Sequence, residues 1–234
     1  MTHAMYEEPD FLLPHPPISL AVFLVLEEAL CAAWEILRLH PPPDFDLASA
    51  IERQLNHQLQ EVLKDRVWNR DVVPGFDDEL IRTITRPEVR NYNGEHVAKR
   101  PDMMVELVDI PERVRPSQYG IFVECKPVDA THSLLGHYCD KGILRFVGGD
   151  YAWAMTQAMM IGYVDSAGLA AERLAVALRT RSDKVLPTGE PTTCVRSQAP
   201  MRVAISEHRR DFRYVENGQA APPIILRHLW LRRN

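Results

Sequence analysis

Three charged residues stand at the ends of two apolar segments that have the composition of strands. Asp102 precedes the first segment, and Glu124 and Lys126 lie near the end of the second. Residues two apart in a strand project from the same face, so Glu124 and Lys126 share one face while Cys125 points the other way. Burying one charge alone costs several kcal/mol, so these side chains must be paired, solvated or bound to a metal ion.

The chemistry of these groups favours a divalent cation. Pairing of the two segments as strands would place Asp102 beside Glu124, and two carboxylates repel unless a proton or a cation lies between them. Mg²⁺ takes hard oxygen ligands, and waters and substrate phosphates complete its octahedron. Beside such an ion and partly desolvated, Lys126 is expected to have a lowered pKa and to orient or deprotonate the attacking water. A structural ion pair between Glu124 and Lys126 is the alternative.

These residues also carry a family resemblance. The "RPD" that ends at Asp102 and the "VECK" of residues 123–126 resemble the active-site pattern of the PD-(D/E)XK nuclease superfamily, which has the restriction-endonuclease-like fold. The resemblance implies that Asp102 and Glu124 bind Mg²⁺ or Mn²⁺, joined by the backbone carbonyl of Cys125. It also implies that Lys126 serves the nucleophilic water. The implied activity is that of an endodeoxyribonuclease, with DNA as the substrate.

Further site residues are less sharply marked. Many members of the superfamily add an acidic residue from the helix before the strands, which here suggests Glu52, with Glu61 and Glu88 as competitors. An exposed helix glutamate with no role at the site is the alternative. Contacts with the nucleic acid are suggested for four further residues, namely Lys141, Arg145, Gln157 and Arg210.

The first half of the chain predicts two helices and a meander of three strands. Ser19 caps a first helix, and Asp46 caps a second helix whose leucines recur every four residues. Two strands are predicted within residues 86–108, joined at the favoured turn dipeptide Asn93-Gly94. A third strand follows over residues 119–128.

The second half predicts two more helices and two closing strands. A helix begins after Gly149-Asp150, with residues at helical spacing as far as Gly162, and another runs from Ser166 to Arg179. Residues 183–200 are rich in turn formers and predict a loop, and strands follow in "MRVAISEHRR" and "PPIILRHLWLRR". This order predicts an α/β fold of the restriction-endonuclease-like class, with a mixed central sheet flanked by helices, rather than a doubly wound parallel sheet.

The chain is predicted to form a single domain. At 234 residues it can bury one sizeable core. Residues 1–45 would form a helical extension, residues 46–164 the catalytic core, and residues 165–234 a helix and the closing strands. Symmetric cutting of both DNA strands would suit a homodimer, which is an expectation from the chemistry rather than from particular residues.

Composition and charge narrow the class of protein. The net charge of −5 argues against a surface that grips nucleic acid all over, because such binding comes from neutralised phosphates. The four cysteines follow no CxxC spacing, which favours a reducing compartment. The N-terminus has acidic residues where a signal peptide is positive, and Glu27 interrupts the apolar run over residues 18–26. A cytoplasmic protein without a membrane span is therefore expected.

Other residue patterns point to different chemistry, but less well. Ser206 and His208 lie on one face of a predicted strand, but the nucleophile elbow and the acidic partner that a serine hydrolase needs are not visible. The glycines before Tyr151 could bind a phosphate at a helix start, but they lack a phosphate-binding motif. The second functional hypothesis is a protein of the same fold that lacks catalysis and binds a partner through an apolar helix over residues 18–37. A zinc site would need four residues with poor spacing, namely Cys125, His132, His137 and Cys139.

Overall fold

The computed structural model describes residues 11–165, 167–195 and 202–233. Within these ranges a seven-stranded mixed sheet forms the centre of the fold. The strands are β1 (Ile81–Thr85), β2 (Met103–Leu107), β3 (Ile121–Val128), β4 (Gln157–Val164), β5 (Thr192–Val195), β6 (Arg202–His208) and β7 (Ile224–Arg232). They lie side by side in the order β1-β2-β3-β4-β7-β6-β5.

Helices cover both faces of this sheet. They include α1 (Leu20–Leu39), α2 (Glu52–Val62) and its π-helical continuation (Leu63–Val67), the π-helix Leu134–Ile143, α3 (Leu144–Val147), α4 (Ala167–Thr180) and α5 (Ser182–Val185). On one face, Trp34 of α1 stacks on Tyr163 of β4, with the ring centroids 5.2 Å apart. On the other face, Tyr138 of the π-helix stacks on Trp230 of β7 at 4.9 Å. Cover on both faces explains why β4 and β7 are almost wholly buried.

The strand directions divide the sheet into three parts. β1, β2 and β3 pair antiparallel, so a three-strand meander is present, but its first strand is β1 rather than the strand predicted before Asn93-Gly94. β3, β4 and β7 then run parallel, and β6 and β5 are antiparallel again. A parallel pair needs a crossover connection, which the π-helix and α3 supply between β3 and β4. The meander thus meets the parallel part at β3, the strand that carries Glu124 and Lys126.

The helix predicted after Gly149-Asp150 is wrong. Residues Gln157–Val164 form β4, and the helical residues lie before the glycine pair, in the π-helix and α3. β4 pairs with β3 on one side and with β7 on the other, and it is buried on both faces. Such a strand shows no alternation of apolar and polar residues, so the same apolar run also fits a helix.

Two other predictions are corrected in part. Asp46 does not cap α2, because its carboxylate accepts hydrogen bonds from the N–H groups of Ala48 and Ser49 in a separate turn, and α2 begins later. Val89 and Lys99 form a single bridge across the turn at Asn93-Gly94, while the first strand of the meander is β1, which precedes this narrow hairpin. β5 also lies in the segment that was predicted to be a loop.

The remaining elements agree with the sequence. The helices α1 and α4 and the strands β2, β3, β6 and β7 are confirmed. Ser19 lies at the N-cap of α1 as predicted, but its side chain makes no capping hydrogen bond. The predicted helix start at Ser166 lies outside the described residues, as do residues 1–10 of the N-terminal extension and residues 196–201 between β5 and β6. The coarse architecture is therefore a mixed α/β sheet flanked by helices, as expected.

The apolar character of α1 is explained by burial. Phe23, Leu26 and Leu30 are fully buried, and Glu27 forms a buried ion pair with Arg227 of β7. The helix thus packs against the sheet, which leaves little of the apolar face that the partner-binding hypothesis needed. No helix in the part of the chain that the structure describes is long and apolar enough to cross a membrane.

Candidate active site

Pairing of β2 with β3 brings the two predicted carboxylates together. Met103 pairs with Val123 in the antiparallel register, which places Asp102 across from Glu124. Both residues are buried, with 4% and 5% of their surface exposed. The backbone N–H of Cys125 donates to Asp102 Oδ2 over 2.9 Å and fixes that carboxylate beside β3. The proximity predicted for the two acids is therefore present.

The ammonium group of Lys126 lies at the centre of the site. Its Nζ is 2.9 Å from Glu124 Oε1 and 3.6 Å from Asp102 Oδ2. It also donates to the backbone carbonyl of Cys125 at 2.9 Å and to Glu52 Oε1 at 2.7 Å. The structure thus brings together every residue that was predicted to bind the metal ion, including Glu52.

Glu52, rather than its two competitors, supplies the acid from outside the strands. It is the first residue of α2, and from there its side chain reaches the ammonium of Lys126. Glu88 instead pairs with Arg100, and Glu61 is exposed. The helix before the meander therefore contributes to the site through its first residue.

The site holds more negative than positive charge. Three carboxylates surround the one ammonium, and Arg86, which the sequence did not mark, adds a guanidinium whose Nη2 is 3.2 Å from Asp102 Oδ1. Burial, and then the nearby Asp102, raise the pKa of Glu124 to about 7. A surplus of buried negative charge is relieved by a proton on Glu124 or by a bound cation.

The lowered pKa that the sequence suggested for Lys126 is wrong. Burial alone lowers the pKa of this ammonium, but the carboxylates of Glu124, Asp102 and Glu52 raise it above its ordinary value. The side chain is therefore held protonated, as a hydrogen-bond donor and a positive charge rather than as a general base. In this form Lys126 can orient a water molecule or neutralise a phosphate oxygen.

The oxygen groups around Lys126 suit a divalent cation by their chemistry. Asp102, Glu124 and the carbonyl of Cys125 converge on the ammonium, and Mg²⁺ and Mn²⁺ take hard oxygen ligands of this kind. Among the described residues, no group of three or more His, Cys, Asp or Glu side chains is arranged to hold a metal ion. An ion here would rest on two carboxylates, one carbonyl and water, with the ammonium displaced from the centre.

Two side chains that support the carboxylates were not predicted. The Tyr151 hydroxyl donates to Glu124 Oε2, and Gln60 Nε2 donates to the backbone carbonyl of Asp102 at 2.5 Å. Gln60 had a signal in the sequence, because it lies two turns after Glu52 and so on the same face of α2. Tyr151 had none, because its spacing with apolar residues indicated only a core aromatic.

The residues suggested for nucleic-acid contact lie in different environments. Lys141 is exposed on the π-helix. Arg145 forms an ion pair with Asp150 at 2.7 Å, and Gln157 begins β4 rather than lying on a helix. The contacts proposed for Lys141 and Arg145 stay predictions, and the helical placement of Gln157 is corrected.

Arg210 has a structural role in place of the nucleic-acid contact that was predicted. It is buried, and its guanidinium donates to the backbone carbonyls of Trp153 at 2.9 Å, Met155 at 3.0 Å and Pro222 at 2.6 Å. A guanidinium used in this way has few donors left for a phosphate. Arg210 instead joins the loop before β4 to the segment before β7.

Comparisons with known proteins gave no match. No protein-family model matches the sequence, and searches of curated proteins and of solved structures found no significant similarity. The fold and the site by themselves define a mixed α/β protein with a cluster of two buried carboxylates, one half-buried carboxylate and one ammonium, placed where β2 and β3 pair.

Proposed function

We propose that the protein is a metal-dependent nuclease of the PD-(D/E)XK type that hydrolyses phosphodiester bonds in DNA with Mg²⁺ or Mn²⁺. The observation that carries the proposal is the convergence of Asp102, Glu124 and the carbonyl of Cys125 on Lys126. The order of α2, the meander β1–β3, the helical crossover and β4 supports a restriction-endonuclease-like core.

Each residue of the site has a role that follows from its contacts. Asp102, Glu124 and the carbonyl of Cys125 would hold the ion, which when bound supplies positive charge that stabilises the transition state of phosphoryl transfer. Lys126, kept protonated by its carboxylate neighbours, orients the attacking water or neutralises a phosphate oxygen. Glu52 accepts a hydrogen bond from the ammonium of Lys126 at 2.7 Å and holds it in place from α2.

The test is a cleavage assay with defined variants. Purified protein is expected to cut DNA in the presence of Mg²⁺, and Lys126→Ala or Asp102→Ala should abolish cutting while circular dichroism shows a folded protein. Lys184→Ala is the matched control. The Lys184 side chain is half-exposed and pairs with Asp140, on the face of the sheet that α4 covers, so its loss should not affect the site. Wild type that cuts no form of DNA or RNA with Mg²⁺ or Mn²⁺ would contradict the proposal.

One observation favours a second candidate, a binding module without catalysis. The ammonium of Lys126 already occupies the point where the oxygen groups converge, so the cluster can also serve as a structural ion network. Calorimetric titration with Mn²⁺ separates the two candidates. The nuclease should bind Mn²⁺, and Glu124→Ala should weaken that binding at least tenfold, whereas the structural network should take up no ion.

A further inference from the structure

A cleft of about 510 Å³ opens beside the candidate active site. Its walls come from the outer face of α2 and from the segment after β1. A volume of this size lies within the range of small-molecule sites, about 300–1,000 Å³. The lining residues are Ile51, Arg53, Gln54, Asn56, His57, Gln60 and Arg86.

The lining of this cleft is suited to an anion. It contains two guanidinium groups, one imidazole and three amides, and no carboxylate, although the chain as a whole has a net charge of −5. Arg53 is exposed, and within the described residues its guanidinium forms no ion pair. Guanidinium groups bind phosphate oxygens through two parallel hydrogen bonds, so a free arginine in a polar cleft favours a phosphate ligand.

The cleft and the carboxylate site share their wall. Gln60 Nε2 donates to the carbonyl of Asp102, and Arg86 Nη2 contacts Asp102 Oδ1 at 3.2 Å. Glu52, which bonds to Lys126, directly precedes Arg53 on α2. If one phosphate of a nucleic-acid strand lay at Lys126, the next phosphate of that strand would therefore lie in the cleft.

One buried group in the lining lacks a partner. Asn56 is 3% exposed, and its Oδ1 accepts a hydrogen bond from the Tyr163 hydroxyl at 2.8 Å. Its Nδ2 is buried without an acceptor among the described residues. This amide nitrogen is closed off from solvent, so it does not face the cleft, and the side chains of the lining that a ligand can reach are the exposed ones, such as Arg53 and Gln54.

We propose that the cleft holds the nucleotide next to the scissile phosphate of the substrate strand. Arg53 and Arg86 bind the phosphate of that nucleotide, and the amide of Gln54 hydrogen-bonds its sugar or base. The proposal rests on the nuclease function proposed above, because it takes the scissile phosphate to lie at Lys126. It adds to that function a binding subsite formed by α2.

The experiment measures binding without cutting. Fluorescence anisotropy of a labelled DNA duplex is recorded in EDTA for wild type and Arg53→Gln, over a salt series from about 50 to 200 mM. Arg53→Gln should weaken binding roughly tenfold and make the slope of log K against log salt shallower by about 0.9. Arg173→Gln, at an exposed position of α4 on the other face of the sheet, should leave both quantities unchanged.

The outcomes separate this proposal from the nuclease function. If wild type binds DNA with an Arg53-dependent slope but cuts nothing, the nuclease function fails, the proposed subsite beside a scissile phosphate fails with it, and only a phosphate contact at Arg53 remains. If wild type cuts DNA while Arg53→Gln changes neither the slope nor KM, the subsite is overturned by itself. If inorganic phosphate binds in an Arg53-dependent manner but DNA does not, the cleft is a site for a free anion and the proposal is likewise overturned.

Discussion

Lys126 and a divalent cation would compete for the same oxygen atoms. The ammonium contacts Glu124 at 2.9 Å and the carbonyl of Cys125 at 2.9 Å, and both groups are proposed ligands of the ion. The contact with Glu52 at 2.7 Å involves no proposed ligand of the ion, so it would remain available to the ammonium if an ion were bound. Glu52 is thus better placed to retain Lys126 than to serve as a principal ligand.

Tyr151 fixes one oxygen of Glu124 and should matter both for stability and for the proposed nuclease activity. Its hydroxyl donates to Glu124 Oε2, and both side chains are buried. Tyr151→Phe leaves that carboxylate oxygen without its donor, and hydrogen bonds to charged groups contribute about 1.5–3 kcal/mol. We expect urea unfolding to show a loss of this size and the cleavage rate to fall about tenfold, because the carboxylate loses its fixed orientation.

Tyr92→Phe is the matched control for this substitution. Tyr92 is half-buried and stacks on Phe212 with the ring centroids 4.4 Å apart. Its hydroxyl makes no hydrogen bond within the described part of the chain, so its removal should change little. Equal effects of the two substitutions on stability and on cleavage would refute the role given to Tyr151.

At the scale of single residues, the sequence predicted the charged residues of the site but not the side chain that hydrogen-bonds to Glu124. Asp102, Glu124 and Lys126 were visible because charges at the ends of apolar strands conflict with burial. Tyr151 was not visible, because a tyrosine in an apolar run has the same pattern whether it packs in the core or donates to a carboxylate. The raised pKa of Lys126 depends on how many carboxylates surround it, which is known only from the tertiary structure.

At the scale of elements, one arginine near the C-terminus holds α2 against the sheet. Arg233 is buried and donates to the carbonyls of Leu47 at 2.9 Å and Ala50 at 3.0 Å, in the turn before α2. Its Nη1 also contacts Asp129 Oδ2, just after β3, at 3.3 Å. The start of α2, which carries Glu52, is thereby tied to the end of the strand that carries the site.

Loss of these Arg233 contacts should make the start of α2 less stable. Arg233→Lys keeps the charge, but one ammonium cannot replace a planar guanidinium that serves several carbonyls. We expect a loss of about 2–4 kcal/mol in urea unfolding and faster hydrogen exchange of the amides of residues 52–56. Arg232→Lys is the control, because the Arg232 side chain is exposed. Unchanged exchange at the start of α2 in Arg233→Lys would contradict the role.

The fold was predictable where elements have one buried face and not where they have two. α1, β2 and β3 follow from capping, turn and apolar patterns in the sequence. β4 was taken for a helix, because a strand buried on both faces loses the alternation that distinguishes the two structures. Partners of β4 lie far along the chain, in β3 and β7, so no local pattern could correct that prediction.

At the scale of the whole molecule, a buried chain of hydrogen bonds joins α5 and the π-helix Leu134–Ile143 to the strands β6 and β7. His208 Nδ1 bonds to the carbonyl of Val185 at 2.5 Å and must donate, because a carbonyl only accepts. His208 Nε2 therefore accepts from the Ser206 hydroxyl at 2.6 Å, and Ser206 Oγ accepts from His228 Nε2 at 2.7 Å. His228 Nδ1 accepts in turn from Tyr138 at 2.9 Å. In this arrangement both imidazoles are neutral, and a second proton on His208 would leave the Ser206 hydroxyl without its acceptor.

This requirement makes folding stability depend on pH in a definite direction. Burial lowers the pKa of His208 to about 4, from about 6.5 in the unfolded chain, and lowers that of His228 further. The unfolded state therefore binds more protons between these values, so the contribution of the two histidines to stability is full above about pH 6.5 and is lost as the pH drops toward 4. His208 alone accounts for roughly 3 kcal/mol of that loss.

The measurement must separate His208 from Glu124, whose raised pKa of about 7 has the opposite effect. Above pH 4.5 the folded protein holds the proton of Glu124 more tightly than the unfolded chain does, so this group loses stability as the pH rises toward 7. Urea unfolding between pH 4 and 7 should therefore compare two variants that both retain Glu124. His208→Gln should be less stable at pH 7 and lose less stability on acidification, whereas His40→Gln, at an exposed position, should follow wild type. If the free energy of unfolding changes with pH in the same way in both variants, the buried hydrogen-bond chain is not what destabilises the folded protein at low pH.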